Sequence, residues 1–186
     1  MNYIIGAIVL AAIGIFGITE SINENKITLF DFSNTSNISN WRIVNDDVMG
    51  GISTSSFKRD KNGIGVFQGR VSTENYGGFA SVRYSMKKTK IEKATMVRMR
   101  LKGDGKNYQF RMKHKSSDYF SYIYTFSTSG DWQVIEMKLS DFFPSFRGRK
   151  LNKPNFNQDF IEEIAFLIAN KKNEKFRLEI DKIELY

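Results

Sequence analysis

The chain has 186 residues, two prolines and no long Gly/Ser or Pro run, which fits one compact domain without an internal linker. Its 41% hydrophobic and 14% aromatic content, with 16 Phe and 8 Tyr, supplies a core and favours sheet over helix, while the absence of cysteine excludes disulfides, zinc ribbons, thiolate nucleophiles and iron–sulfur ligation. The net charge is +8; without residues 1–26, which hold one Lys and two Glu, 27 basic residues stand against 18 acidic ones, so an anionic partner or a solvated basic surface is expected.

The first element is the run Tyr3 to Ile18, sixteen consecutive apolar or Gly residues without a charge, followed by a polar stretch to Lys26. Its length lies between a secretory h-region and a spanning helix, so residues 1–19 read as a signal peptide or a membrane anchor and 20–26 as a short polar linker. No Lys or Arg precedes the run, which weakens the signal-peptide reading, and a buried N-terminal element is the remaining alternative. The stretch is not Arg-rich, Ser-rich or amphipathic, as a mitochondrial transit peptide would be. A bacterial envelope, with the domain exported or tethered to the inner membrane, is the expected setting for residues 27–186.

Next comes Trp41-Arg-Ile-Val-Asn-Asp-Asp-Val-Met-Gly-Gly51, a strand running into a sharply turned loop. Asn45, Asp46, Asp47, Met49, Gly50 and Gly51 are candidates for ligand or partner contact, the glycines letting the chain fold over a site. The competing reading is that Asp46 and Asp47 cap the turn through hydrogen bonds to backbone N–H groups. As neighbours on an extended chain they would face opposite ways, which suits acid/base work on one bond poorly. Oxygen ligands in such a loop could also hold a structural calcium, yet no metal or other cofactor is expected. A second turn follows at Tyr76, Gly77, Gly78 and Phe79, with Tyr76 and Phe79 as aromatic contact candidates.

From there the dominant period is two. Val97, Met99 and Leu101 alternate with Arg98, Arg100 and Lys102, and Tyr108, Phe110, Met112 and His114 alternate with Gln109, Arg111, Lys113 and Lys115, as half-buried antiparallel strands do. Gly103-Asp-Gly105 is expected to close a hairpin between them, with Asp104 and Tyr108 as contact candidates at its end. That hairpin would gather Arg98, Arg100, Lys102, Arg111, Lys113 and Lys115 into one basic face. The single histidine, His114, falls on the inward side and reads as a packed structural residue, since neither a triad nor a metal site can be built on it alone.

Phe120, Tyr122, Tyr124 and Phe126 continue the alternation, as do Ile135, Met137 and Leu139. Then Phe142, Phe143 and Phe146 lead into Arg147 and Arg149, whose guanidinium groups could clamp a carboxylate or phosphate, or simply stand in water above an aromatic plug. Only Gln158 to Glu163 offers the start of a short helix. The last strand keeps phase through Phe176, Leu178 and Ile180 and resumes at Ile183 and Leu185, a slip of parity that predicts a bulge near Asp181. Strands recurring at this spacing between Gly, Asn, Asp and Ser argue for an all-β sandwich or barrel.

The segments Trp41 to Gly51, Val66 to Ser72, Gly77 to Ser81, Leu101 to Tyr108, Asp141 to Arg149 and Phe176 to Ile183, in that order, resemble the complex I intermediate-associated protein family, the thirty-kilodalton assembly factors of NADH:ubiquinone oxidoreductase. The resemblance implies a galactose-binding-like jelly roll of two antiparallel sheets with most ligand-capable loops at one end. It also implies a non-enzymatic binding or assembly domain, chaperone-like toward a subunit of a membrane complex. The alternative from the fold's other relatives is a carbohydrate-binding module at the cell envelope. A protein partner is therefore expected, an anionic lipid surface or a glycan comes second, and nucleic acid is disfavoured because an exported domain would seldom meet it.

Overall fold

The computed structural model describes residues 26–186, so the expectations for residues 1–19 and nearly all of 20–26 lie outside the described residues. In chain order the strands are β1 (Ile27–Asp31), β2 (Trp41–Ile43), β3 (Thr54–Arg59), β4 (Gly65–Val71), β5 (Ala80–Lys90), β6 (Met96–Lys102) and β7 (Asn107–Lys113). They continue with β8 (Ser121–Ser127), β9 (Trp132–Lys138), β10 (Phe143–Phe146), β11 (Arg149–Lys150), β12 (Phe160–Ile168) and β13 (Glu174–Leu185). One sheet has the order β3-β4-β13-β6-β9, with β1 joining β13, and the other the order β11-β10-β8-β7-β12-β5-β2. Every pairing is antiparallel, which gives a two-layer jelly-roll sandwich.

The alternation explains the layers. Val97, Met99 and Leu101 from one sheet and Tyr108, Phe110 and Met112 from the other are all buried, while their basic neighbours face outward. Around Trp41 an aromatic cluster gathers Phe30, Phe32, Phe57, Tyr84 and Phe166, with ring centroids 4.9 to 6.4 Å from the indole. Contacts of this kind add roughly 0.5–1.5 kcal/mol per pair beyond area burial. The predicted bulge is present: pairing of β13 with β6 shifts between Ile180 and Lys182, and beyond it β1 replaces β4 as the other neighbour of β13.

Two expectations are corrected. β6 and β7 do not form a hairpin: β6 pairs with β13 and β9, whereas β7 pairs with β12 and β8 in the opposite sheet. Gly103 to Lys106 is therefore a crossover between layers. The basic row divides accordingly, Arg98, Arg100 and Lys102 standing on the outer face of one sheet and Arg111 and Lys113 on the outer face of the other, with Lys115 in the exposed loop beyond β7. The second correction concerns Gln158 to Glu163, which contains no helix. Phe160 opens β12, a strand flanked on both sides by β5 and β7 and buried along almost its whole length. His114 follows the end of β7, packed on the Phe160 ring at 3.9 Å between centroids, with Nδ1 3.1 Å from the Phe160 carbonyl oxygen.

Candidate functional site

The two Gly-rich turns are joined by one carboxylate. Asp46 opens a short 3-10 turn (Asp46–Met49) and is fully buried. Its Oδ1 accepts the Ser53 N–H at 2.9 Å, and its Oδ2 accepts the Ser53 hydroxyl at 2.5 Å and the N–H groups of Gly78 and Phe79 at 2.6 and 3.1 Å. Burial alone would raise this carboxyl's pKa, but the four hydrogen bonds outweigh it and hold the group below the usual carboxylate range. Glycine is required beside it for lack of space: a methyl on Gly51 would overlap the Asp46 side chain, and one on Gly77 would lie 2.7 Å from Oδ2. Asn45 is also buried, accepting from the Ser55 hydroxyl at 2.7 Å, whereas Asp47 and Gly50 are exposed. The turn thus spends Asp46 and Asn45 on its own construction and leaves Asp47 in water.

Bolting these turns together fixes Met49, Tyr76, Gly77, Gly78 and Phe79 along one rim of a groove of about 710 Å³ on the outer face of the second sheet. Tyr76 is 97% exposed and Met49 52% exposed. The floor crosses β5, β12, β7, β8 and β10 and presents Arg83, Leu167, Gln109, Arg111, Lys113, Ser121 and Ser145. The opposite rim is the β10–β11 turn, Phe146, Arg147 and Gly148, with Tyr119 packed edge-on to Phe146 at 5.3 Å. Lys171, in the loop after β12, adds a fifth cation to the lining, which contains no Asp or Glu.

The electrostatics of the floor are one-sided. Arg83 and Arg111 stand in register on either side of Ala165. Arg111 Nε and Nη2 donate to Gln109 Oε1 at 3.0 and 2.7 Å, and among the described residues no carboxylate oxygen comes within 4.0 Å of it. Burial, together with the Arg83 charge, pulls the guanidinium pKa down to about 10. Buried Glu163, two residues before Ala165 on β12, is held by Arg42 at 3.0 Å and by Arg83 at 3.8 Å.

Of the residues singled out in the sequence, Met49, Tyr76, Gly77, Gly78, Phe79, Arg111, Lys113 and Arg147 meet at this groove. Asp104 and Tyr108 do not. Tyr108 is buried and donates its hydroxyl to Asp104 Oδ1 at 2.9 Å, while Asp104 Oδ2 accepts from Lys106 Nζ at 2.7 Å and from the Arg177 N–H at 2.9 Å, clipping the crossover to β13. Arg149 is exposed on β11 beyond the turn. Sequence reasoning missed Arg83, Gln109, Tyr119 and Lys171. Arg83 was accessible from its strand, where Ser81, Arg83 and Ser85 alternate with Val82 and Tyr84.

The two-sheet architecture is shared with solved structures. Over 86% of this chain and 94% of the other, it superposes with a TM-score of 0.65 at 21% identity on the family 11 carbohydrate-binding module from Clostridium thermocellum in complex with a β-1,3-1,4-mixed-linked tetrasaccharide. A second structure of a family 11 module, from the cellulosomal cellulase Lic26A-Cel5E of the same organism, gives 0.63 at 21% identity over 86% and 93% of the two chains. These likenesses establish the galactose-binding-like jelly roll. In sequence, the mitochondrial complex I intermediate-associated protein 30 of Drosophila melanogaster is 24% identical over 84% of this chain, which spans 62% of that relative's length. The family model for complex I intermediate-associated protein 30 matches residues 30–180, a stretch that contains both turns locked by Asp46, the Asp104 crossover and the groove they border. This chain belongs to the complex I intermediate-associated protein 30 family.

Proposed function

We propose that this chain is a non-enzymatic assembly-factor domain that holds a subunit of a membrane complex, respiratory complex I by family membership, in the groove across β5, β12, β7, β8 and β10. The observation that carries the reading is the lining: five Lys or Arg and no acid, between rims of exposed aromatic and apolar side chains. Protein interfaces are anchored by such aromatics and arginines. The Asp46 latch supports the same reading, since it makes one rim a rigid edge. The apolar run at 3–18 supports export or anchoring at a bacterial inner membrane, which would bring the domain to such a client; the Drosophila relative is named as mitochondrial.

Affinity capture from membranes solubilised from the native host tests this. Full-length protein should retrieve one membrane complex reproducibly, and Tyr76→Ala with Phe146→Ala should lose it while keeping the fold. Retention of the complex by that variant would remove the groove from the interface.

A second reading, a carbohydrate-binding module at the envelope, is favoured by the exposed rings of Tyr76, Tyr119 and Phe146 around the groove, which could stack on sugars. Its cationic floor carries no aromatic platform, so the protein-binding reading comes first. Binding of the soluble domain to a neutral oligosaccharide on a glycan array, lost on Tyr119→Ala, would reverse that order.

A further inference from the structure

The groove gathers five Lys or Arg into one concave lining without an Asp or Glu, and the one acid that meets its floor, Glu163, is shared between Arg83 and Arg42. Arg83 and Arg111 flank Ala165 at one level of the sheet, and Lys113 follows two residues along β7, opposite Glu163. Ala165 between them carries only a methyl group, so no bulky side chain separates the two arginines and a carboxylate above can accept from both guanidinium groups. Two interstrand spacings separate the strands that carry them, roughly 10 Å, which long guanidinium side chains close over one anion. Gln109 fixes Arg111 by accepting two of its N–H groups, so little rotamer freedom remains to be lost on binding.

We infer that the groove receives an extended acidic peptide segment of its partner, with a carboxylate seated between Arg83 and Arg111. The inference rests on the protein-binding reading above and names the chemistry of what is bound. From β5 to β10 the groove crosses four interstrand spacings, about 19 Å, the length of roughly six extended residues at about 3.3 Å each. The floor between the rims holds cations, amide and hydroxyl groups rather than rings, which suits carboxylates and peptide groups better than the faces of neutral sugars. Arg147 and Lys171 on the two rims extend the positive field past both edges of the floor.

The test uses the full-length protein in detergent and fluorescein-labelled hexaglutamate as probe, with hexaglutamine as the neutral control and a heparin-derived hexasaccharide as competitor. Hexaglutamate should bind, hexaglutamine should not, and Arg83→Gln with Arg111→Gln should weaken binding at least tenfold. Because Arg111 is half-buried, Arg147→Gln with Lys171→Gln serves as a second, fully surface-exposed variant, expected to weaken binding three- to tenfold with an unchanged melting temperature. Arg98→Gln with Arg100→Gln removes the same charge from the other sheet and should leave binding unchanged. Equal losses for that control variant, no loss at the rim, or tighter binding of the hexasaccharide than of hexaglutamate would each overturn the inference. Capture of the membrane complex separates the two levels: if Arg83→Gln with Arg111→Gln still retrieves it while Tyr76→Ala with Phe146→Ala does not, the protein-binding reading stands and the acidic-peptide inference falls.

Discussion

Asp46 is fully buried and accepts four hydrogen bonds, whereas Asp47 beside it points into water and caps nothing among the described residues. Replacing Asp46 by Ala leaves the buried N–H of Ser53 and the partly buried N–H groups of Gly78 and Phe79 without an acceptor and should cost about 3 kcal/mol; Asp47→Ala should stay within about 0.5 kcal/mol. Urea denaturation of the two variants checks this. The pH dependence has a definite sign. Asp46 is held below the usual carboxylate range in the folded state, so its contribution is complete above the unfolded value of about 3.9 and disappears as pH falls through the lower folded value. Stability followed from pH 7 to pH 2 should therefore fall less steeply in Asp46→Asn than in the parent. The slope shrinks rather than vanishes, because hydrogen bonds from Ser36 and Ser33 lower Asp31 as well. Both carboxylates and the glycines were visible in the sequence, and so was the capping role. That Asp46 reaches across to Gly78 and Phe79 was not, because the bond spans 32 residues and no local pattern records it.

At the scale of the elements, period-two patterning gave the strands, their inward faces and the bulge at Asp181, since alternation is a property of each strand alone. Partner choice is not such a property. Gly103-Asp-Gly105 looks the same whether it closes a hairpin or crosses between layers, and only the pairing of β6 with β13 and β9 decides the matter. β12 was misjudged at its start because Glu162 and Glu163 break the apolar run just where its register against β5 is irregular, between Ile161 and Glu163. Two substitutions separate structural from incidental contacts within the first sheet. A methyl on Gly69 would overlap the Thr54 carbonyl oxygen of the neighbouring strand, so Gly69→Ala should cost about 2 kcal/mol and raise amide exchange along β3. Asp181→Ala removes only a half-exposed ion pair to Arg100, 3.0 Å long, and should cost less than about 1 kcal/mol, with exchange unchanged.

Over the whole molecule the two outer faces carry their charge differently. On the β6–β13 sheet three arginines are matched, Arg98 with Glu136 at 2.7 Å, Arg100 with Asp181 at 3.0 Å and Arg177 with Glu179 at 2.7 Å. The groove lining holds five Lys or Arg and no Asp or Glu, so part of the net charge of +8 is concentrated over one face. Its ends differ too. The described chain starts at Lys26, paired with Glu184 at 2.6 Å beside the last residues of β13, while the rim turn that carries Tyr76 is tied to the residue before β13 by the Thr73 N–H bond to Asn173 Oδ1 at 2.7 Å. β13 runs twelve residues between these points, roughly 36 Å. A membrane segment at residues 3–18 would then hold the Lys26 end near the bilayer and direct the Tyr76 rim away from it, toward the extramembrane part of a client. Photo-cross-linking in native membranes reads this directly. A benzophenone residue in place of Tyr76 should cross-link to protein and not to lipid. The same residue in place of Lys93, in the exposed loop beside the Thr95 N–H bond to the Tyr186 carbonyl, should label lipid. Lipid labelling from Tyr76 would mean that the rim itself faces the bilayer, and the groove would then be a headgroup site rather than a client site.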